Sequence, residues 1–259
     1  MEPTTDITFI GKRLHSVTRS ISNTTEMMMA ATRLWLHALG CRRICPRQMA
    51  SLLGRLQWVL RPLAGAAPFL AGWYRSMCAG SHWFTRAMVR STGTALMLGF
   101  PQHALHCATG ACKRTFTFFS DAALDGDGFW AGVVGALGIY RSYRCPKWVS
   151  SLQQAELYAA YAAMKVAVGN RFHSIAVGID NGASRIQASK MWAAPDSIVQ
   201  HRLLRRIFWL RAWSNPQAST FRMPSAYNPA EPLSRCFRGE SWSDATTEAE
   251  RRRSAWGTS

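Results

Sequence analysis

The sequence predicts an α/β chain: a mixed five-stranded sheet flanked by helices, preceded by a small β-hairpin and a mostly helical region. Three observations carry this. Thr115–Tyr143 reads as a β-rich meander of three short runs joined by turn residues. After it, the periodicity alternates as helix, strand, helices, strand and helix. Before it, one alternating hairpin is followed by helical patterns alone.

In order, Asp6–Ser22 alternates apolar and polar residues about Gly11-Lys12, which predicts two short strands and a turn. Thr24–Ala38 predicts a helix rich in good formers. Pro46 suits a first helical position, and Met49, Leu52, Leu53, Leu56, Val59 and Leu60 then recur at helical spacing, with Arg47 and Arg55 off that face. Pro68 opens a helix through Met77, and Ser81–Leu98 predicts another, interrupted near Gly93.

In the meander, Thr115–Ser120 predicts a strand with Asp121 at its end. Asp125-Gly126-Asp127-Gly128 predicts a turn, and strands are expected over Phe129–Ala136 and Ile139–Tyr143. Ser151–Val168 predicts an alanine-rich helix with Glu156 in its first two turns. Ser174–Ile179 predicts a buried strand ending at Asp180, and Asn181 begins a helix to about Met191. Ser197–Trp213 predicts a long helix with His201, Arg202, Arg205, Arg206 and Arg211 outward. Ala218–Met223 is the expected last strand, and Asn228–Arg235 turns into a short helix. Residues 239–259 are polar, carry Arg251-Arg252-Arg253, and are expected to be poorly ordered.

The net charge is +17, from 31 Lys and Arg against 14 Asp and Glu, and Met27–Ser120 holds no acid at all. Such an excess predicts a polyanionic partner, and eleven scattered Trp residues favour nucleic acid over a membrane surface. No apolar run reaches the ~18–20 residues of a membrane span. The N-terminus lacks a secretory h-region, so an intracellular protein, not a secreted one, is expected. Seven Cys, an odd number, argue against a disulfide framework, and the unequal pairs Cys41/Cys45 and Cys107/Cys112 read as reduced thiols rather than zinc ligands.

Between Met27 and Gly239 only seven acids occur, and Asp121, Glu156, Asp180 and Glu231 fall at strand ends or helix starts. Clustered carboxylates repel one another unless a cation binds between them. Hard oxygen ligands in such a cluster suit the metal-assisted hydrolysis of phosphodiesters. Taken singly, each has a plainer reading: Glu156 as a dipole-favoured acid, Asp180 as a helix cap, Glu231 as a partner of Arg235.

The ordered set resembles a known family. Ser120-Asp121-Ala122 with Trp130-Ala131-Gly132, then Gln154-Ala155-Glu156-Leu157, Ile179-Asp180-Asn181 and Asn228-Pro229-Ala230-Glu231-Pro232-Leu233-Ser234-Arg235, resemble the four ribonuclease H (RNase H) motifs of hepadnaviral polymerases and of DIRS-type (tyrosine-recombinase, VIPER-like) retrotransposons. Upstream, Phe9-Ile10-Gly11 with Ser20-Ile21-Ser22 resembles a primer-grip hairpin, and Met49–Leu56 with Pro62, Pro68 and Tyr74 resembles thumb and connection helices. No Tyr-x-Asp-Asp motif is present.

The resemblance implies an RNase H-like sheet and endonucleolytic cleavage of the RNA strand of RNA–DNA hybrids. It implies two Mg²⁺ or Mn²⁺ ions held by Asp121, Glu156, Asp180 and Glu231. Gln154, Asn181, Arg185, Arg202, Arg205, Arg206, Arg47 and Arg55 are the expected contacts to nucleic acid. The implied organisation is 1–23 as the end of a palm, 24–114 as thumb and connection, 115–238 as RNase H and 239–259 as a basic tail, with the polymerase palm upstream of Met1. One departure bears on activity: the family's last motif carries Asp where this chain has Glu231 followed by Pro232. Two alternatives stay open, a catalytically decayed hybrid-binding module and an RNase H-fold DNA nuclease or integrase-type enzyme.

Overall fold

The computed structural model describes residues 6–15, 20–41, 44–61, 63, 65–80, 85–99, 103–104, 115–126, 128–172, 174–194, 196–214, 217–236 and 241–257. The chain divides into two compact units, Met1–Gly110 with Ala194–Ile198, and Ala111–Ala193 with Val199–Ser259. Among the described residues, no helix is long and apolar enough to cross a membrane.

In the first unit, β1 (Asp6–Phe9) and β2 (Lys12–His15) form the expected hairpin about Ile10-Gly11, both at positive φ. The sheet is larger than predicted: β3 (Ser20–Asn23) pairs with β2, and β4 (His103–Ala104) pairs with β3. The helices α1 (Thr25–Gly40), α2 (Pro46–Leu60), α3 (Ala71–Cys78) and α4 (Arg86–Gly99) follow. α4 runs through Gly93 without the expected break, because a helical glycine costs only about 1 kcal/mol and the burial of Met88, Ala95 and Leu96 holds the helix on both sides of it. Lys12 is buried and donates to the Asn23 carboxamide and, at 2.6 Å, to the Trp58 carbonyl, which ties the hairpin to α2. Burial, followed by the charge of Arg61, lowers its pKa to about 8.

The second unit holds β5 (Phe116–Asp125), β6 (Gly128–Gly135), β7 (Ile139–Arg144), α5 (Leu152–Gly169), β8 (Ser174–Ile179), α6 (Gly182–Lys190), α7 (Ile198–Ser214), β9 (Gln217–Arg222), α8 (Glu231–Arg235) and α9 (Trp242–Gly257). Its sheet has the order β7-β6-β5-β8-β9. The first three strands are an antiparallel meander, and β8 and β9 add in parallel through helical crossovers. This is the mixed RNase H-like sheet that the sequence predicts.

Alternation along β5 serves two cores. Phe119 and Val134 pack with Ala230, Leu233, Ala245 and Ala249 of the α8–α9 side. Ala122 and Ala131 pack with Ala155 and Ala159 of α5. The small residues of α5, including Ala155, Ala159, Ala160 and Ala163, are fully buried, so the helix lies close on the sheet.

Three expectations are corrected. β5 runs on to Asp125, so Asp121 lies within the strand; the β5–β6 hairpin, paired as far as Asp125 and Gly128, carries the strand past the end of β8. His201 is buried, only 5% exposed, because it shares a helical face with Leu204 and Phe208. The stretch expected to be poorly ordered contains α9, whose Ala245 and Ala249 pack on α8 while Trp256 stacks on Phe221.

Candidate active site

Asp121 enters the site because β8 stops beside it. Ser120 pairs with Ile179, the last residue of β8, so the next residues, Asp121 within β5 and Asp180 just past the end of β8, stand side by side. The third acid comes from α5, whose Ser151 N-cap accepts from Gln154 N–H at 3.3 Å and fixes the first turn that Glu156 follows. Ser184 of α6 donates to the Gln153 carbonyl at 3.1 Å and ties the two helix starts together. One carboxylate oxygen each of Asp121, Glu156 and Asp180 lies within 4.8 Å of the others.

Asp121 and Glu156 are each only 4% exposed, and Asp180 is half-buried. Burial is the first cause of every shift here. It pushes Asp121 up to about 7, against the Ser234 hydroxyl and with the charges of Asp180 and Glu231. It pushes Glu156 up to about 9, helped by the charges of Asp121 and Asp180 and opposed by the Ala122 N–H. Asp180 is also raised, against hydrogen bonds from Asn181 and Ser225. Glu156 Oε2 and Asp180 Oδ1 are buried with no hydrogen-bond partner. Two orphaned carboxylate oxygens in a cluster of three acids fit a hard divalent cation, which would satisfy both and cancel their repulsion.

Two residues that the sequence reading did not single out hold Asp121. Ser234 donates to Asp121 Oδ2, and the fully buried Asn228 donates to the Ser120 carbonyl at 3.0 Å and to Asp121 Oδ1 at 3.5 Å. Asn228 also accepts from Ala230 N–H at 3.1 Å, which shapes the turn into α8. Gly132 makes this possible. It pairs with Asp121, and a Cβ there would strike the Ala230 carbonyl and stand 2.7 Å from Ser234 N. Only a residue without Cβ lets α8 rest on the sheet and bring Ser234 to Asp121.

Glu231, the fourth predicted ligand, is not one of the three. Its Oε1 meets Arg235 Nη2 at 2.5 Å and its Oε2 meets Arg252 Nη1 at 2.7 Å. Pro232 is no obstacle to α8, since it stands in the first turn, where its missing N–H would have had no intrahelical partner.

The expected nucleic-acid contacts are dispersed. Gln154 accepts from Ser150 N–H at 2.9 Å, and Asn181 caps α6 by accepting from Ser184 N–H at 3.0 Å. Arg185 is half-buried with an unpartnered Nε. Arg202 and Arg206 are exposed and lie over the Trp148 ring at 5.2 and 5.3 Å, and Arg205 is half-buried. Arg47 and Arg55 are exposed on α2, in the other unit. Asp125 accepts from Gly126 N–H at 2.8 Å, as turn chemistry predicts, while Asp127, Cys107 and Cys112 lie outside the described residues. Cys41 and Cys45 are free and exposed.

No family model and no curated protein matches the chain. Among solved structures, it is similar to RNase H1 of the halophilic archaeon Halobacterium salinarum NRC-1 at 20% identity, over 49% of this chain and 100% of that one, with a TM-score of 0.43. It is similar to the N-terminal RNase H domain of a Mycobacterium tuberculosis protein solved as a fusion with maltose-binding protein, at 19% identity over 53% and 96%, with a TM-score of 0.39. A foamy viral protease-reverse transcriptase in complex with double-stranded DNA is similar over 85% of this chain and 45% of that one, at 12% identity and a TM-score of 0.31. The fold is established by strand order and register.

Proposed function

We propose that the chain is a divalent-ion-dependent endonuclease that cuts the RNA strand of RNA–DNA hybrids. In this reading it is the C-terminal part of a retroelement reverse transcriptase of the DIRS type, with its palm upstream and its work inside the cell. The single observation that carries the proposal is the cluster of Asp121, Glu156 and Asp180, with two buried, orphaned oxygens. Mg²⁺ or Mn²⁺ held there supplies Lewis acidity and a nucleophilic water at neutral pH.

The chain's own residues do the rest. Asp121, fixed by Ser234 and Asn228, is the central ligand, flanked by Glu156 and Asp180. Glu231 completes a second ion's ligands only if it leaves its arginines. Arg202 and Arg206 are proposed to track phosphates beside Trp148, with Arg205 on the same helix, Gln154 on α5, Asn181 and Arg185 at the start of α6, and Arg47 and Arg55 on α2 of the first unit. Discrimination would rest on duplex shape and RNA 2′-hydroxyls. Residues 1–23 would then be the end of the palm, 24–114 thumb and connection, and 115–238 the RNase H domain, with α9 a helix of the second unit.

The engagement of Glu231 favours a second reading, a module that binds hybrid without turnover. End-labelled RNA in a hybrid, in double-stranded RNA and alone, beside duplex DNA, separates the readings. Cleavage of hybrid RNA only, abolished by EDTA, is the expected result. Tight hybrid binding without ion-dependent cleavage establishes the module, and equal cutting of duplex DNA places the chain among DNA nucleases.

A further inference from the structure

Glu231 reaches the triad electrostatically: its charge helps raise both Asp121 and Asp180. Yet each of its oxygens already faces a guanidinium, Arg235 at 2.5 Å and Arg252 at 2.7 Å, and the side chains of Glu231 and Arg252 are only 14% and 23% exposed. Arg252 is fixed from two further sides. Its Nε donates to Glu248 at 2.8 Å, and its Nη1 donates to the Asn228 carbonyl at 3.3 Å. The same Asn228 positions Asp121 through its side chain. One guanidinium on α9 therefore joins the fourth acid to the segment that holds the first.

We infer that Arg252 makes Glu231 a counter-ion rather than a ligand, so that the chain takes one divalent ion at Asp121, Glu156 and Asp180 and no second one while Arg252 stays in place. The inference rests on the triad being an ion site. A cation against Glu231 would stand beside two guanidinium groups in a half-dehydrated setting, where like charges repel strongly. Arg252 cannot be neutralised by losing a proton, because a guanidinium stays charged at any pH the fold survives. Nor is it free to swing away, since Glu248 and Asn228 restrain it. A cleft of about 320 Å³ lined by Glu231, Arg235, Asp244, Glu248 and Arg252 leaves the pair open to ions from solvent, so access does not exclude a second cation; charge does.

Calorimetric titration of the full chain with MnCl₂, without nucleic acid, tests this. One ion per chain is expected, unchanged by Glu231→Gln. Arg252→Ala is expected to bind two, and Arg252→Ala combined with Glu231→Gln to return to one. Two ions in the wild type overturn the inference, as does one ion in a folded Arg252→Ala protein. Should Arg252→Ala not fold, Glu231→Gln decides: loss of an ion, or affinity weakened by about tenfold or more, makes Glu231 a ligand and overturns it. An isotherm unaltered by Asp121→Asn removes the triad reading itself, whatever Arg252 does.

Discussion

Two groups of acids in the second unit meet opposite treatment. On α8 and α9, Glu231, Glu248 and Glu250 are each paired with arginine, and the hydrogen bonds of Arg251 and Arg252 hold Glu248 down to about 2. At the triad, buried Asp121 and Glu156 and half-buried Asp180 have no ion pair among the described residues, and burial drives their pKa values up. Arginine is not scarce in a chain of net charge +17. A fold that pairs the acids of α8 and α9 and leaves those of the triad facing each other makes a site whose ionised form a cation from outside would stabilise. The uncompensated cluster marks the site; the compensated one holds the C-terminal helix.

The most direct way to break this contrast is to neutralise one member of the triad. Asp121→Asn or Asp180→Asn is expected to lower hybrid cleavage about 10²–10³-fold or more, since several kcal/mol of transition-state stabilisation goes with the ion. Single-turnover rates measure it, and wild-type rates in both variants would end the nuclease reading. Ser234→Ala leaves all three acids but loosens Asp121, and a loss of about 10–100-fold in Mn²⁺ affinity or turnover is expected.

Gly132→Ala attacks the support rather than the charge. Its Cβ meets the Ala230 carbonyl and Ser234 N, so α8 must shift, at a cost of about 1–3 kcal/mol. Thermal unfolding would show the lowered Tm, and an unchanged Tm would mean that α8 does not rest on Gly132. A smaller, graded effect is expected from pH in EDTA. Unfolded carboxyls titrate near ~4. Folded Asp121 and Glu156 hold their protons to about 7 and about 9. Between those values the native state binds more protons, so stability falls as pH rises, and added Mn²⁺ should reverse the fall. A slope unaffected by Mn²⁺ at pH 8 would contradict the contrast.

Much of this was legible in the chain itself, and the misses have causes. The alternating and helical runs place every strand of the five-stranded sheet, and the scarcity of acids points to Asp121, Glu156 and Asp180. The position of Asp121 within β5 depends on where β8 ends relative to β6, which is a matter of topology and not of local pattern. α9 was hidden because its buried face is made of Ala245 and Ala249, too small to register as an apolar stripe among charged neighbours. His201 did carry a signal, at i+3 and i+7 from Leu204 and Phe208, but its polarity outweighed the spacing. Asn228 and Ser234 look like turn residues until Gly132 lets α8 down onto the sheet. The Arg235 half of the pairing of Glu231 follows from i,i+4 spacing, while the other half needs Arg252, twenty-one residues away, and no local spacing announces it.

The proposed divalent-cation site is made by Asp121, Glu156 and Asp180. Anomalous diffraction from crystals soaked in MnCl₂ tests it most directly. A manganese peak is expected within bonding distance of all three carboxylates, and is expected to vanish in Asp121→Asn. A peak elsewhere, or none in crystals of a protein that still cuts hybrid, would contradict it.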